Sequence, residues 1–239
     1  MPVGRIREST AGRGDPRLPL RGLRRLRSLF SCGRRHAPGE KGNGLRRLLV
    51  KYSKEGGASY LSHREAMRML ERALRRSELP LAFTEGYSPR PRMSYSPALP
   101  LGVAAEAEYL EVALHADVDA SEVREKLNQA LPEGLRVREV QTLAPTMPKL
   151  SRWARYGLFR VAGGDGAIHL LLALGGEEQG RLKDALEALG ALRGTSSDYR
   201  GVTRIGLYAS PDEVFEDAVG PVFFYNGKTG EIEEMKNET

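Results

Sequence analysis

Arginine and tyrosine carry the chemical signal of this chain. Arg64, Arg68, Arg72 and either Arg75 or Arg76 recur every three to four residues, a spacing that brings them to one face of a helix. A guanidinium fork can grip two phosphate oxygens at once, so such a row can follow a nucleic-acid backbone. The same row can also be a solvated face partly neutralised by Glu65, Glu71 and Glu78. Further on, Arg90 and Arg92 stand between prolines, with Tyr87 and Tyr95 beside them. Arginine next to aromatic rings suits base stacking with phosphate contact, and it also suits protein recognition. A purely structural loop, with Arg90 paired to Glu85, is the alternative. A third group is Lys149, Arg152, Arg155 and Arg160 around Trp153 and Tyr156, in a stretch with no acid between Glu139 and Asp165. It reads either as a polyanion groove or as a linker anchored by Trp153.

Bond-breaking chemistry has one weak candidate, His63. A general base or a metal ligand needs partners at suitable spacing, and none accompanies it. Ser/His/Asp patterns, phosphate-cradling glycine loops and CxxC pairs are absent. The Gly163–Gly166 run reads as a hairpin turn. The only cysteine, Cys32, is too few for a multi-cysteine metal or iron–sulfur site within this chain.

The elements that must position these residues follow from periodicity. Arg46–Lys54 reads as a strand leading to the Gly56-Gly57 turn. Ser62 with Glu65 forms a capping box and opens a helix to Ser77, with Met67, Leu70, Ala73 and Leu74 on its apolar face. Glu78–Gly102 then holds five of the fourteen prolines (Pro80, Pro89, Pro91, Pro97, Pro100). Proline fixes its own backbone and restricts its neighbour, so this segment predicts a stiff excursion presenting arginine and tyrosine, flanked by short strands at Leu81–Thr84 and Arg92–Ser96. Strands are expected at Glu108–Ala116 and Leu135–Leu143, with a helix at Asp119–Leu131 between them. The order is βαββαβ, an α+β ferredoxin-like sandwich with a proline-rich insertion. A smaller α+β half follows with the order ββαβ: strands at Tyr156–Val161 and Ala167–Leu174, a helix at Gln179–Leu192 and a strand at Val202–Ser210. The expected division is a basic leader at 1–44, the ferredoxin-like core at 45–147, the smaller half at 148–226 and an acidic frayed tail at 227–239.

The formal net charge of +6 is unevenly spread. Residues 1–47 hold thirteen Lys and Arg against three Asp and Glu, and the remainder is at −4. The basic balance belongs to the leader, so only local patches can argue for nucleic acid. The leader is rich in Arg, Gly and Pro, which predicts disorder; Leu18–Phe30 could form a short basic amphipathic helix. No run of about 18 apolar residues predicts a transmembrane helix. A reducing cytoplasm is the simplest setting for one cysteine.

Leu61-Ser62-His63, Arg75-Arg76, Gly86 to Pro91, Leu99 to Gly102 and the acidic strand from Glu108 together resemble the radical SAM-linked protein family, the domain known as DUF2344. The resemblance covers Arg47 to Leu143 well and the C-terminal half loosely. It departs at Arg64-Glu65, where the family more often has Leu-Asp. It implies a bacterial cytoplasmic accessory to a radical SAM enzyme of the cobalamin type, acting on RNA. The iron–sulfur cluster, S-adenosylmethionine and cobalamin would then reside in that partner, with no cofactor in this chain. The resemblance supplies no catalytic residues. Three functions follow as expectations: an RNA-binding module using Arg68, Arg72, Arg75, Arg76, Arg90 and Arg92; an RNA-processing or RNA-modifying enzyme with His63 as general base; or a protein adaptor for the radical SAM partner that touches no RNA.

Overall fold

The unbroken apolar run Leu48-Leu49-Val50 in RRLLVKYSK lets β1 (Arg46–Lys54) use both of its faces: Leu48, Val50 and Tyr52 bury on one side of a sheet and Leu49 on the other. The computed structural model describes residues 44–163, 166–190, 199–216, 218 and 220–236. Among these, nine strands form one mixed sheet. They are β1, β2 (Met93–Tyr95), β3 (Ala104–Leu114), β4 (Leu135–Thr142), β5 (Tyr156–Gly163), β6 (Gly166–Ala173), β7 (Val202–Tyr208), β8 (Val222–Tyr225) and β9 (Ile232–Met235). Their order is β4-β1-β3-β7-β5-β6-β8-β9, with β2 pairing β3 off that path. Four helices accompany them: α1 (His63–Arg76), α2 (Ala120–Ala130), the one-turn α3 (Leu150–Trp153) and α4 (Leu182–Ala188). The architecture is α+β.

In the first half, β1 pairs antiparallel with β3 and β4, and β2 pairs antiparallel with β3. Leu70 and Leu74 of α1 and Val123 and Leu127 of α2 pack with Leu48, Val50, Leu110, Val112 and Leu114, so both helices cover one face. The opposite face buries Leu49, Ala107 and Tyr109 beneath Leu150, Ala154 and Trp153. Replacing Leu74, which is fully buried, with alanine removes its transfer energy and leaves a void, a loss of about 2–5 kcal/mol.

α1 begins where its capping box predicts. The Ser62 N–H and hydroxyl donate to Glu65 Oε2 at 2.8 and 2.6 Å, and the Glu65 N–H returns to the Ser62 hydroxyl at 3.3 Å. These bonds hold the Glu65 carboxyl below the usual range. α2 is capped by Asp119, whose carboxylate accepts from the Ser121 N–H at 2.8 Å.

Several expectations need correction. β3 starts at Ala104, four residues before the expected Glu108, because its first residues bury Ala105 and Ala107, which carry little strand signal. Leu81–Thr84 is not a strand but a set of single bridges, Leu81 to Leu114 and Phe83 to Pro91; prolines deny it a continuous ladder. The helix expected from Gln179 begins only at Leu182, since Gln179 bridges Ala173 and the Gly180 N–H donates to Ala173 O. The 227–239 tail is not wholly frayed: Ile232–Met235 forms β9 on β8. The boundary expected at 147/148 divides one continuous sheet, joined through β3 and β7. Residues 1–43, with the basic leader and Leu18–Phe30, lie outside the described residues.

Candidate functional site

The apolar stripe of α1 faces the sheet, which turns its arginines outward. Arg64, Arg68 and Arg72 are exposed, and among the described residues none of them has a carboxylate within ion-pair distance; Arg68 acts on Glu65 only through its field. Arg75 pairs with Glu71 at 2.9 Å along the helix, and its guanidinium lies 5.5 Å over the Phe83 ring. Arg76 donates to Ala130 O at 2.7 Å and so fastens α1 to α2.

Phe83 joins the helix face to the proline loop. The Thr84 N–H donates to Arg90 O at 2.8 Å and the Arg90 N–H to Thr84 Oγ1 at 3.1 Å, closing a narrow arm. The bend at 85–88 forms its tip, with Gly86 at φ 119, a conformation open to glycine. Tyr87 stands fully exposed there and Arg90 is exposed beside it. Among the described residues, the Arg90–Glu85 pair of the purely structural alternative does not form. Arg92 takes Glu85 instead at 3.7 Å, and its Nε donates to Phe83 O at 3.0 Å. Arg92 thus braces the arm. Tyr95 turns inward: its hydroxyl donates to Met67 O at 3.3 Å, and burial pushes its pKa well up.

Lys149, Arg152, Trp153 and Arg155 do not join this surface. Trp153 packs edge-on to Tyr109 with ring centroids 6.2 Å apart, on the sheet face away from α1. Glu111 organises that segment, accepting from Arg47 Nε at 2.7 Å and from the Leu150 N–H at 3.2 Å. Arg155 lines a separate shallow cleft with Glu177, Glu178 and Lys228. Trp153 thus fastens this segment to β3.

His63, the first residue of α1, is half-buried and meets Tyr95 edge-on at 6.1 Å. Burial lowers its pKa and outweighs the opposing pull of Glu108, with Arg204 and Lys54 adding to the lowering. Among the described residues, no carboxylate within hydrogen-bond reach orients the ring, no group of three or more His, Cys, Asp or Glu could hold a metal ion, and no helix is long and apolar enough to cross a membrane.

Beneath His63 lies a buried network that sequence reasoning missed. Arg204 on β7 has a side chain 0% exposed, and Glu108 on β3 is 4% exposed. Arg204 Nε donates to Glu108 Oε1 at 2.6 Å, and Nη2 reaches the same oxygen and Pro97 O. Ser96 Oγ donates to Glu108 Oε2 at 2.9 Å. Lys54 is buried at the end of β1 and donates to Leu61 O at 2.9 Å; burial lowers its pKa against the attraction of Glu108. The network holds both ends of the arginine platform: Lys54 fixes the turn that enters α1, and Arg204 fixes the exit of the proline segment at Pro97. A signal for two of its members was present. Lys54 continues the inward register of Leu48, Val50 and Tyr52, and Glu108 that of Leu110, Val112 and Leu114. A charge in an apolar register demands a buried partner.

Residues 47–195 match the model of a family described as an uncharacterised protein conserved in bacteria, DUF2344. No curated protein matches the chain. The match spans more than half of the sequence and contains the capped arginine helix, the proline arm and Glu108, and on that ground this chain belongs to the DUF2344 family.

Proposed function

We propose that this chain is a non-catalytic binding module that holds RNA, such as a tRNA or rRNA, against the arginine face of α1 and the Gly86–Pro91 arm. The observation that carries the reading is the stacking of Arg75 on Phe83. It makes one surface of Arg64, Arg68, Arg72 and Arg75 on the helix and Arg90 and Tyr87 on the arm. Arg92 and Arg76 support that surface more than they present to it. In a body with a net charge of −4 outside the first 47 residues, this local concentration of cations is a selective feature. We read the first half as ferredoxin-like, supported by the antiparallel order β4-β1-β3-β2 with α1 and α2 on one face.

In this reading the module works in the cytoplasm beside a separate radical SAM enzyme of the cobalamin type, which supplies the iron–sulfur cluster, S-adenosylmethionine and cobalamin. The test is binding of total cellular RNA by the purified full chain, followed by Arg68→Ala with Arg72→Ala and by Arg90→Ala. Affinity that drops in both variants is expected. Unchanged affinity removes the proposed surface. Co-purification of the radical SAM enzyme that persists in high salt and after nuclease, with no RNA bound, would favour the adaptor reading instead. The enzymatic reading would rest on His63, half-buried at the head of α1 edge-on to Tyr95; burial lowers its pKa, which weakens it as a general base near neutral pH. RNA turnover lost in His63→Ala would promote that reading.

A further inference from the structure

We propose that the arginine face takes a short unpaired stretch of RNA, with one base stacked on Tyr60 and another on Tyr87. This rests on the RNA reading above and names its substrate class. Tyr60 ends the tight turn Gly56–Tyr60 that precedes Ser62 and α1, four residues before Arg64 at the helix's N-terminal end. It is 62% exposed, more than a packing role requires. Its ring lies near Gly102, whose N–H donates to Ser59 O at 3.0 Å, so the turn is fixed and the ring is presented from an ordered base. At the Arg75 end stand Phe83, partly exposed beneath Arg75, and Tyr87 at the tip of the arm. Exposed rings thus stand in the turn before the first arginine of the row and beyond its last. Large exposed aromatics beside arginine suit unstacked bases, which offer a π-face regardless of sequence. A duplex hides those faces and is read by its shape, phosphates and 2′-hydroxyls.

The helix sets the length. From Arg64 to Arg75 the axis advances about 17 Å at 1.5 Å per residue. A stacked single strand advances about 3.4 Å per nucleotide, so the row spans roughly five nucleotides.

The experiment is fluorescence anisotropy of the full chain at fixed salt, with labelled single-stranded RNAs of increasing length and a duplex of matching sequence. Folding of each variant is checked by circular dichroism. Tyr60→Ala and Tyr87→Ala are each expected to weaken single-strand binding by about 5- to 150-fold, with little change on the duplex. Tyr60→Phe and Tyr87→Phe should retain binding, because the ring is kept. Affinity should stop rising steeply beyond about seven nucleotides, roughly five along the row and one on each flanking ring. If both alanine variants bind like the parent while Arg68→Ala with Arg72→Ala loses affinity, this inference falls and the RNA reading stands. Duplex binding as tight as single-strand binding overturns it in the same way. No binding of either RNA form overturns both.

Discussion

Substituting Glu108 with glutamine tests the buried network most directly. The Glu108→Gln side chain would keep the shape and a carbonyl acceptor but remove the negative charge that faces Arg204. The guanidinium has no exposed surface, so it cannot turn to water, and among the described residues its Nη1 already lacks a hydrogen-bond partner. Lys54 adds a second buried cation influenced by the same carboxylate. Breaking one side of a buried pair costs about 3–5 kcal/mol. A domain of this size loses roughly 2–4 °C of Tm per kcal/mol, which gives a drop of about 6–20 °C. Urea unfolding should show a lower midpoint with an unchanged slope. Glu108→Gln with Arg204→Met should regain part of the loss, since the unpaired charge is then gone, and the cycle should show a coupling of about 1–3 kcal/mol. A loss below about 1 kcal/mol for Glu108→Gln would refute the reasoning, because it would place the pair with solvent-exposed bridges.

Four other outcomes are expected. RNA binding, if it uses Arg64, Arg68, Arg72, Arg75 and Arg90, should weaken with salt at a log–log slope of about −3.5, and each arginine removed should flatten it by about 0.7. His63 should titrate below its ordinary 6.5 in NMR; the unfolded chain then binds the proton more readily, so this residue's contribution to stability falls as the pH drops through 6.5 towards the folded value. A midpoint above 6.5 would mean that Glu108 outweighs burial. Ser62→Ala should cost about 0.5–2 kcal/mol in urea unfolding, because it removes one half of the capping box. Gly134→Ala should cost about 1–3 kcal/mol by the same measurement: its φ is 85, and the added methyl would sit 2.7 Å from Glu55 O.

Local chemistry made much of the fold legible. The capping box placed α1 to the residue, alternation placed β4, and apolar content placed β1, because each signal depends on neighbours a few positions apart. The arginine face was legible for the same reason. What escaped depends on distant pairing. Arg204 joins Glu108 across 96 positions, and nothing near Arg204 marks it as buried. Trp153 fitted a polyanion groove or a hydrophobic anchor from sequence alone; it packs on Tyr109, and only the sheet decides which of its faces a linker crosses. Which of Arg90 and Arg92 would meet Glu85 was not legible because Glu85 lies near both in sequence; only the closed arm brings Arg92 to Glu85 and to Phe83 O.

β3 shares one edge between two neighbours. β2 pairs Leu110 to Val112, while β7 pairs only Ala104 and Ala105. The two halves of the sheet thus meet through a ladder two residues long, with Arg204 at its end. In hydrogen exchange such a seam separates cooperative units. Amides of β1, β3 and β4 should open together, those of β5, β6 and β7 should open as another group, and Glu108→Gln should widen the gap between the two opening energies by loosening the clasp that spans them.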